Sequence, residues 1–169
     1  MEKGFLTLLL VIFYNIAYSQ IYSIAQIDSL VWIIDTFNYK QKTLEATVTT
    51  KPGKDKGGSA ETYYVDTISK RLMKVELAQA LSDRKKHLTS VELTSFYYHG
   101  NKLIMVRTSR FSTFGYPNFK KALSSGAYYY HDDTLILSKE TGYKHGGIGY
   151  ISIAETYRDV MFNKVFAAD

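Results

Sequence analysis

The sequence predicts an α+β fold, an antiparallel β-meander of about seven strands with an N-terminal and a C-terminal helix packed together on one face. Three observations predict it. Hydrophobicity repeats every second residue from Thr43 onward, a hairpin-like motif built on Tyr-Tyr recurs through the middle of the chain, and apolar residues recur at helical spacing near both ends.

The first residues read as a leader. Lys3 supplies a positive start, Phe5 to Phe13 form a nearly unbroken apolar run, and Ala17-Tyr18-Ser19 sets small residues three and one positions before a cut ahead of Gln20. The run ends near Ala17, short of the roughly 20 apolar residues that span a bilayer. Residues 1–19 are therefore expected to be a cleaved signal peptide, and 20–169 a single exported α+β domain, periplasmic or extracellular. No later segment is long and apolar enough to predict a stable membrane span.

The first helix is expected near Asp28 or Ser29, with Asp28 as its cap and Ile27, Leu30, Val31, Ile34 and Phe37 as its apolar stripe. Trp32 and Ile33 widen that stripe, which predicts a deeply set helix. Leu44, Ala46 and Val48 then alternate with Glu45, Thr47 and Thr49, the pattern of a strand with one buried face. The polar stretch from Lys51 to Gly58 predicts a long turn, and Ala60 to Asp66 the returning strand.

Two segments match in order and spacing: Tyr97-Tyr98-His99-Gly100-Asn101-Lys102-Leu103-Ile104 and Tyr129-Tyr130-His131-Asp132-Asp133-Thr134-Leu135-Ile136. Tyr63-Tyr64-Val65-Asp66, followed by Leu72-Met73, is a looser copy. Aromatic pairs suit strands, and Gly100-Asn101 and Asp132-Asp133 are turn-formers, so each copy reads as a hairpin. Between the last two copies, Phe111 to Ser125 reads as a crossover or lid with a helical turn near Asn118 to Leu123. Lys144 to Gly149 marks a flexible turn, and Ser152 with Glu155 has capping-box spacing for a closing helix whose stripe includes Ile153, Tyr157, Val160, Met161 and Val165.

Composition narrows the function classes. The chain has no cysteine, which removes thiol nucleophiles, thiolate metal sites and the attachment point of a lipoprotein, and leaves stability to a packed core. Its 21 basic and 16 acidic residues give a formal net charge of +5. The cations collect in expected loops, at Lys51, Lys54 and Lys56, at Arg84 to His87, and at Lys120 and Lys121. Such loops are solvated turns or a surface for an acidic envelope partner. Export and the lack of a recognisable motif argue against nucleic acid.

Candidate chemistry is sparse. His99 and His131 share one position of the repeat and would make a metal pair or a base, but histidine beside a tight turn is more commonly solvent-exposed. Lys144 to Gly149 lacks the strand, helix and spacing of a phosphate loop, and Asp132-Asp133 lacks the remaining ligands of a calcium loop. No catalytic residue, metal or cofactor is assigned. Tyrosine is the better lead, because successive strand residues point to opposite faces and one ring of each pair should point outward. Tyr64, Tyr98 and Tyr130, with Phe114 and Tyr116 of the lid, are the expected ligand-binding residues. They make the leading expectation a non-catalytic binding domain for an envelope protein, peptide or glycan. A carrier or sensor of an apolar ligand held between sheet and helices, and a histidine-dependent hydrolase, are the alternatives.

Overall fold

A computed structural model describes residues 22–51, 55–83, 88–114, 120–142, 147 and 149–166. The expected leader and Tyr116 lie outside the described residues. Helix α1 (Ile24–Thr36) is followed by seven strands: β1 (Lys40–Lys51), β2 (Asp55–Asp66), β3 (Arg71–Asp83), β4 (Leu88–His99), β5 (Lys102–Phe114), β6 (Lys120–His131) and β7 (Thr134–Thr141). Helix α2 (Tyr150–Thr156) runs through a π-helical turn (Tyr157–Met161) into α3 (Phe162–Phe166). The strands pair in sequence order, each antiparallel to the next. The expected seven-strand antiparallel meander is present.

The two-residue turns follow from local chemistry. Gly100 and Asn101 have φ of 58° and 68°, and Asp132 and Asp133 of 44° and 59°, the left-handed pair that a tight hairpin requires. Beyond each turn the ladder slips by one residue. Tyr97 faces Met105 but Tyr98 faces Leu103, and Tyr129 faces Leu137 but Tyr130 faces Leu135. The β2–β3 hairpin slips in the same way, with Tyr64 facing Lys74 and Val65 facing Leu72. The extra residues Met73, Ile104 and Ile136 are β-bulges in equivalent places. The looser copy therefore aligns one residue away from its expected match, because Tyr64 corresponds to Tyr97 and Tyr129, and Val65 to Tyr98 and Tyr130.

The bulge lets one strand load two adjacent residues onto one face. Ile104 and Met105 join Tyr97 and Tyr129 in a core sealed by Ile27, Val31 and Ile34 of α1. Leu103 and Val106 join Tyr98, Tyr130, Phe96 and Tyr128 in a second core, sealed by Ala154 and, more loosely, by Tyr150, Tyr157 and Phe162. Tyr97 and Tyr98 are consecutive, so these cores lie on opposite faces. The expectation of two helices on one face is corrected: each helical segment covers its own face, because both faces near the tight turns are apolar.

Local boundaries differ from expectation as well. Ser23 caps α1, accepting a hydrogen bond from the Gln26 amide while the Gln26 side chain accepts one from the Ser23 amide. Asp28 lies inside the helix and binds the sheet instead. Trp32 is 67% exposed and Ile33 47%, since a helix on a single sheet buries only one stripe. Helix α2 begins at Tyr150 after Gly149, with no side-chain cap, and Ser152 donates to the Gly149 carbonyl. Lys120 to Ser124 are strand rather than a helical turn, because all but the bulged Leu123 pair with Thr113 to Arg110 of β5. Gly57 and Gly58 likewise belong to β2.

A fully buried Ile27 beside a half-exposed Ile33 gives a test of this placement. Ile27→Ala is expected to cost about 3 kcal/mol in denaturant unfolding through the cavity it leaves. Ile33→Ala should change stability by less than about 0.5 kcal/mol.

Candidate binding groove on the α1 face

The strands position the site by length. Twelve or thirteen residues in β1 to β6 span about 40 Å, while the thirteen-residue α1 spans about 20 Å. The apolar cores sit near the tight turns, so the far half of the sheet lies beyond them.

Register defines the rows of the α1 face. The row nearest the turns reads Tyr64, Lys74, Tyr97, Met105, Tyr129 and Leu137 across β2 to β7. The next reads Thr62, Glu76, Ser95, Arg107, Ala127 and Lys139, and the third Ala60, Ala78, Leu93, Ser109, Ser125 and Thr141. Bulk falls abruptly from the first row to the third.

Polar pins fix α1 along the first two rows. Asp35 accepts hydrogen bonds from Lys74 Nζ at 2.7 Å, Arg107 Nη1 at 3.1 Å and the Tyr97 hydroxyl at 3.2 Å. Two turns earlier on the helix, Asp28 accepts from the Tyr129 hydroxyl at 2.9 Å. Lys74 also lies 2.7 Å from Glu76, which accepts from the Tyr64 hydroxyl. The ammonium sits 5.1 Å and 5.2 Å from the ring centroids of Tyr64 and Tyr97, within cation–π range of both.

Only 8% of Lys74 is exposed. Burial pulls its pKa down, but hydrogen bonds to Asp35 and Glu76 outweigh that and hold it above the ordinary lysine value. Burial, then the hydrogen bond to Glu76, pushes the Tyr64 phenol up to about 12. These groups are fixed in one charge state across the physiological range.

Past this network the small side chains leave a groove of about 800 Å³. Leu93, Ser95, Ser109, Ser125 and Thr141 line it, with Arg107 and Lys139 beside the first row. A second hollow of about 540 Å³ lies over Ala60, Ala78, Gly58 and Ala80 on the same face, beyond Leu93. Glu140 also borders the first groove, but it alternates with Lys139 and its carboxylate reaches Tyr128 on the opposite face. The arrangement offers hydroxyls, two cations and a shallow polar floor, with a volume in the range of small-molecule sites.

The structure separates the expected binding residues. Tyr98 and Tyr130 are each 1% exposed beneath the C-terminal helical segment, where their hydroxyls donate to the carbonyls of Ala154 and Gly147. Tyr64 is half-buried on the α1 face. The three rings therefore do not form one outward platform, a consequence of the one-residue shift in the first repeat and of apolar cover on both faces. Phe114 pairs through its backbone with Leu88, and its side chain lies outside the described residues, as does Tyr116. His99 packs edge-on against Tyr22, and His131 lies 3.4 Å from Asp132. No group of three or more metal-ligating side chains occurs among the described residues. No described helix is long and apolar enough to cross a membrane.

Arg107 and Lys139 lie three residues beyond the two matched segments and carry no motif of their own. They are 32 positions apart, the interval that separates Tyr97 from Tyr129. Extending the repeat beyond Leu-Ile would have placed a cation at the same point of each hairpin.

Comparison with family models, curated proteins and solved structures finds no match, so the groove is read from its own geometry.

Lys74 provides the test of the network. Its folded pKa lies above the unfolded value of 10.5, so its stabilisation is full below about pH 10.5 and is lost as the pH rises through the folded value. Lys74→Met is expected to cost about 2 kcal/mol at pH 7. Urea unfolding should show that penalty unchanged from pH 7 to 9 and shrinking above the ordinary lysine range.

Proposed function

We propose that the chain is an exported, non-catalytic binding domain that holds an envelope peptide or glycan in the groove of its α1 face. The observation that carries this reading is the half of the α1 face that no described helix covers. Its central strands present Ser95, Ser109, Ser125 and Ala127 where a merely solvated sheet would carry long charged side chains. Short side chains let a ligand approach the sheet closely, and the rigid ladder beneath means little order has to be gained on binding.

The packing of both cores supports binding on the surface over carriage of an apolar ligand. Tyr97, Met105 and Tyr129 fill the space beneath α1, and Phe96, Tyr98 and Tyr130 the space beneath α2. The pairing of Lys74 with both Asp35 and Glu76 favours a structural role for these ionisable groups over proton transfer. Export rests on the leader-like order of Lys3, the apolar run and Ala17-Tyr18-Ser19.

Two experiments test the reading. N-terminal sequencing of the protein recovered from the envelope or medium of its producing cell should begin at Gln20, and a mature chain that retains Met1 would contradict export. Ser125→Trp should fill the groove, leave the unfolding midpoint within a few degrees, and abolish the chemical-shift changes that a binding peptide or oligosaccharide produces at Ser109 and Thr141. Binding undiminished by that substitution would remove the groove from the account.

A further inference from the structure

Resting on that reading, we infer that the ligand is an acidic glycan, held by its carboxylates at Arg107 and Lys139 and by its hydroxyls over Ser109, Ser125 and Thr141. The backbone supplies the first argument. The groove lies over β4 to β7, where the amides and carbonyls of β5 and β6 are already committed to ladders on both sides. An added peptide strand needs free backbone groups, and in this sheet those lie on the outer edges of β1 and β7. A ligand lying over β4 to β6 is recognised through side chains, and the polar ones on this face of the groove are hydroxyls and cations.

The second argument is the disposition of charge. Arg107 makes its hydrogen bonds among the described residues through Nη1, to Asp35 and to Tyr97, so Nε and Nη2 still carry donors. Lys139 lies 5.4 Å from the Tyr129 ring centroid and has no carboxylate partner among the described residues. One strand separates the two cations, with only the methyl group of Ala127 between them in the row. The two cations stand two interstrand spacings apart, roughly 10 Å, so carboxylates on two different sugar units of one chain would be needed to reach both. Asp28, Asp35 and Glu76, the acids of this face next to the groove, are bound to Tyr129, Lys74, Arg107 and Tyr64, and Glu45 lies away from it, over β1 at the second hollow. What faces the groove among the described residues is the ammonium of Lys139 and the Nε and Nη2 donors of Arg107.

The third argument is chemical contrast. Ser125 and Thr141 hydroxyls lie 2.8 Å apart and bond to each other, and each keeps further donor or acceptor capacity for a sugar hydroxyl. A neutral glycan would use that floor and leave the cations idle. An anionic one uses both.

The test is calorimetric titration of the protein with trigalacturonate, trimannuronate and a hyaluronan tetrasaccharide, against the methyl ester of trigalacturonate and neutral maltotriose. At least one acidic ligand should bind, with its uncharged counterpart weaker by about tenfold or more, the weight of one charge-assisted hydrogen bond. Lys139→Gln should weaken the acid by about tenfold and leave the ester unchanged. Because Arg107 also holds α1 through Asp35, Arg107→Lys is the second variant, keeping the charge while removing the planar fork. It should weaken the acidic ligand and leave the fold's circular dichroism intact. Equal binding of acid and ester, or Lys139→Gln without effect, overturns the inference. Binding of a peptide or neutral glycan that Ser125→Trp abolishes, with no acidic ligand bound, overturns it while leaving the groove reading in place. Loss of every ligand class overturns both.

Discussion

Consecutive residues of a strand point to opposite sides, and in β4 and β6 both sides are occupied by tyrosine. That alternation governs the molecule. Tyr97 and Tyr129 require cover on one face, Tyr98 and Tyr130 on the other, and a single helical layer cannot satisfy both. The chain meets the requirement with α1 on one side and the α2 segment on the opposite one. The β-bulges at Met73, Ile104 and Ile136 add to the effect, since each gives its strand an extra residue and lets neighbours such as Ile104 and Met105 share a face.

Apolar contact attaches α1 to the sheet, and polar contact fixes where it lies. Ile27, Val31 and Ile34 would slide across an apolar surface with little penalty, whereas Asp28 and Asp35 each have one hydrogen-bonded position, on Tyr129 and around Lys74 and Arg107. Such directional partners are most effective where burial strengthens them, and Lys74 is the most buried of the charged groups involved. Arg107 belongs to both halves of the molecule. It secures the helix through Asp35 and borders the groove, so the structural network hands directly over to the proposed binding surface.

Much of this was legible in the sequence. Period-two alternation predicts the strands, and Gly100-Asn101 and Asp132-Asp133 predict the tight turns that the structure contains. The faces were harder to read. Alternation in β1 suggests a sheet wet on one side, but adjacent large residues such as Phe96-Tyr97-Tyr98 are themselves the signal of a strand buried on both. The start of α1 is written in Ser23 and Gln26, a capping box upstream of the stronger-looking Asp28. Lys120 to Ser124 have no local pattern that marks a strand. Pairing with β5 decides their state, and such a long-range contact leaves no trace in a short window. The ion network around Asp35 is illegible for the same reason, since Lys74 and Arg107 reach it from strands 39 and 72 residues further along the chain.

The most direct measurement of the account is a solution NMR map of through-space contacts to the paired tyrosine rings. The methyl groups of Val31 should show contacts to the rings of Tyr97 and Tyr129, and the methyl group of Ala154 to the ring of Tyr98, with no exchange between the sets. Contacts from Val31 and Ala154 to one common ring would place both helical segments on the same face and contradict the architecture on which the groove depends.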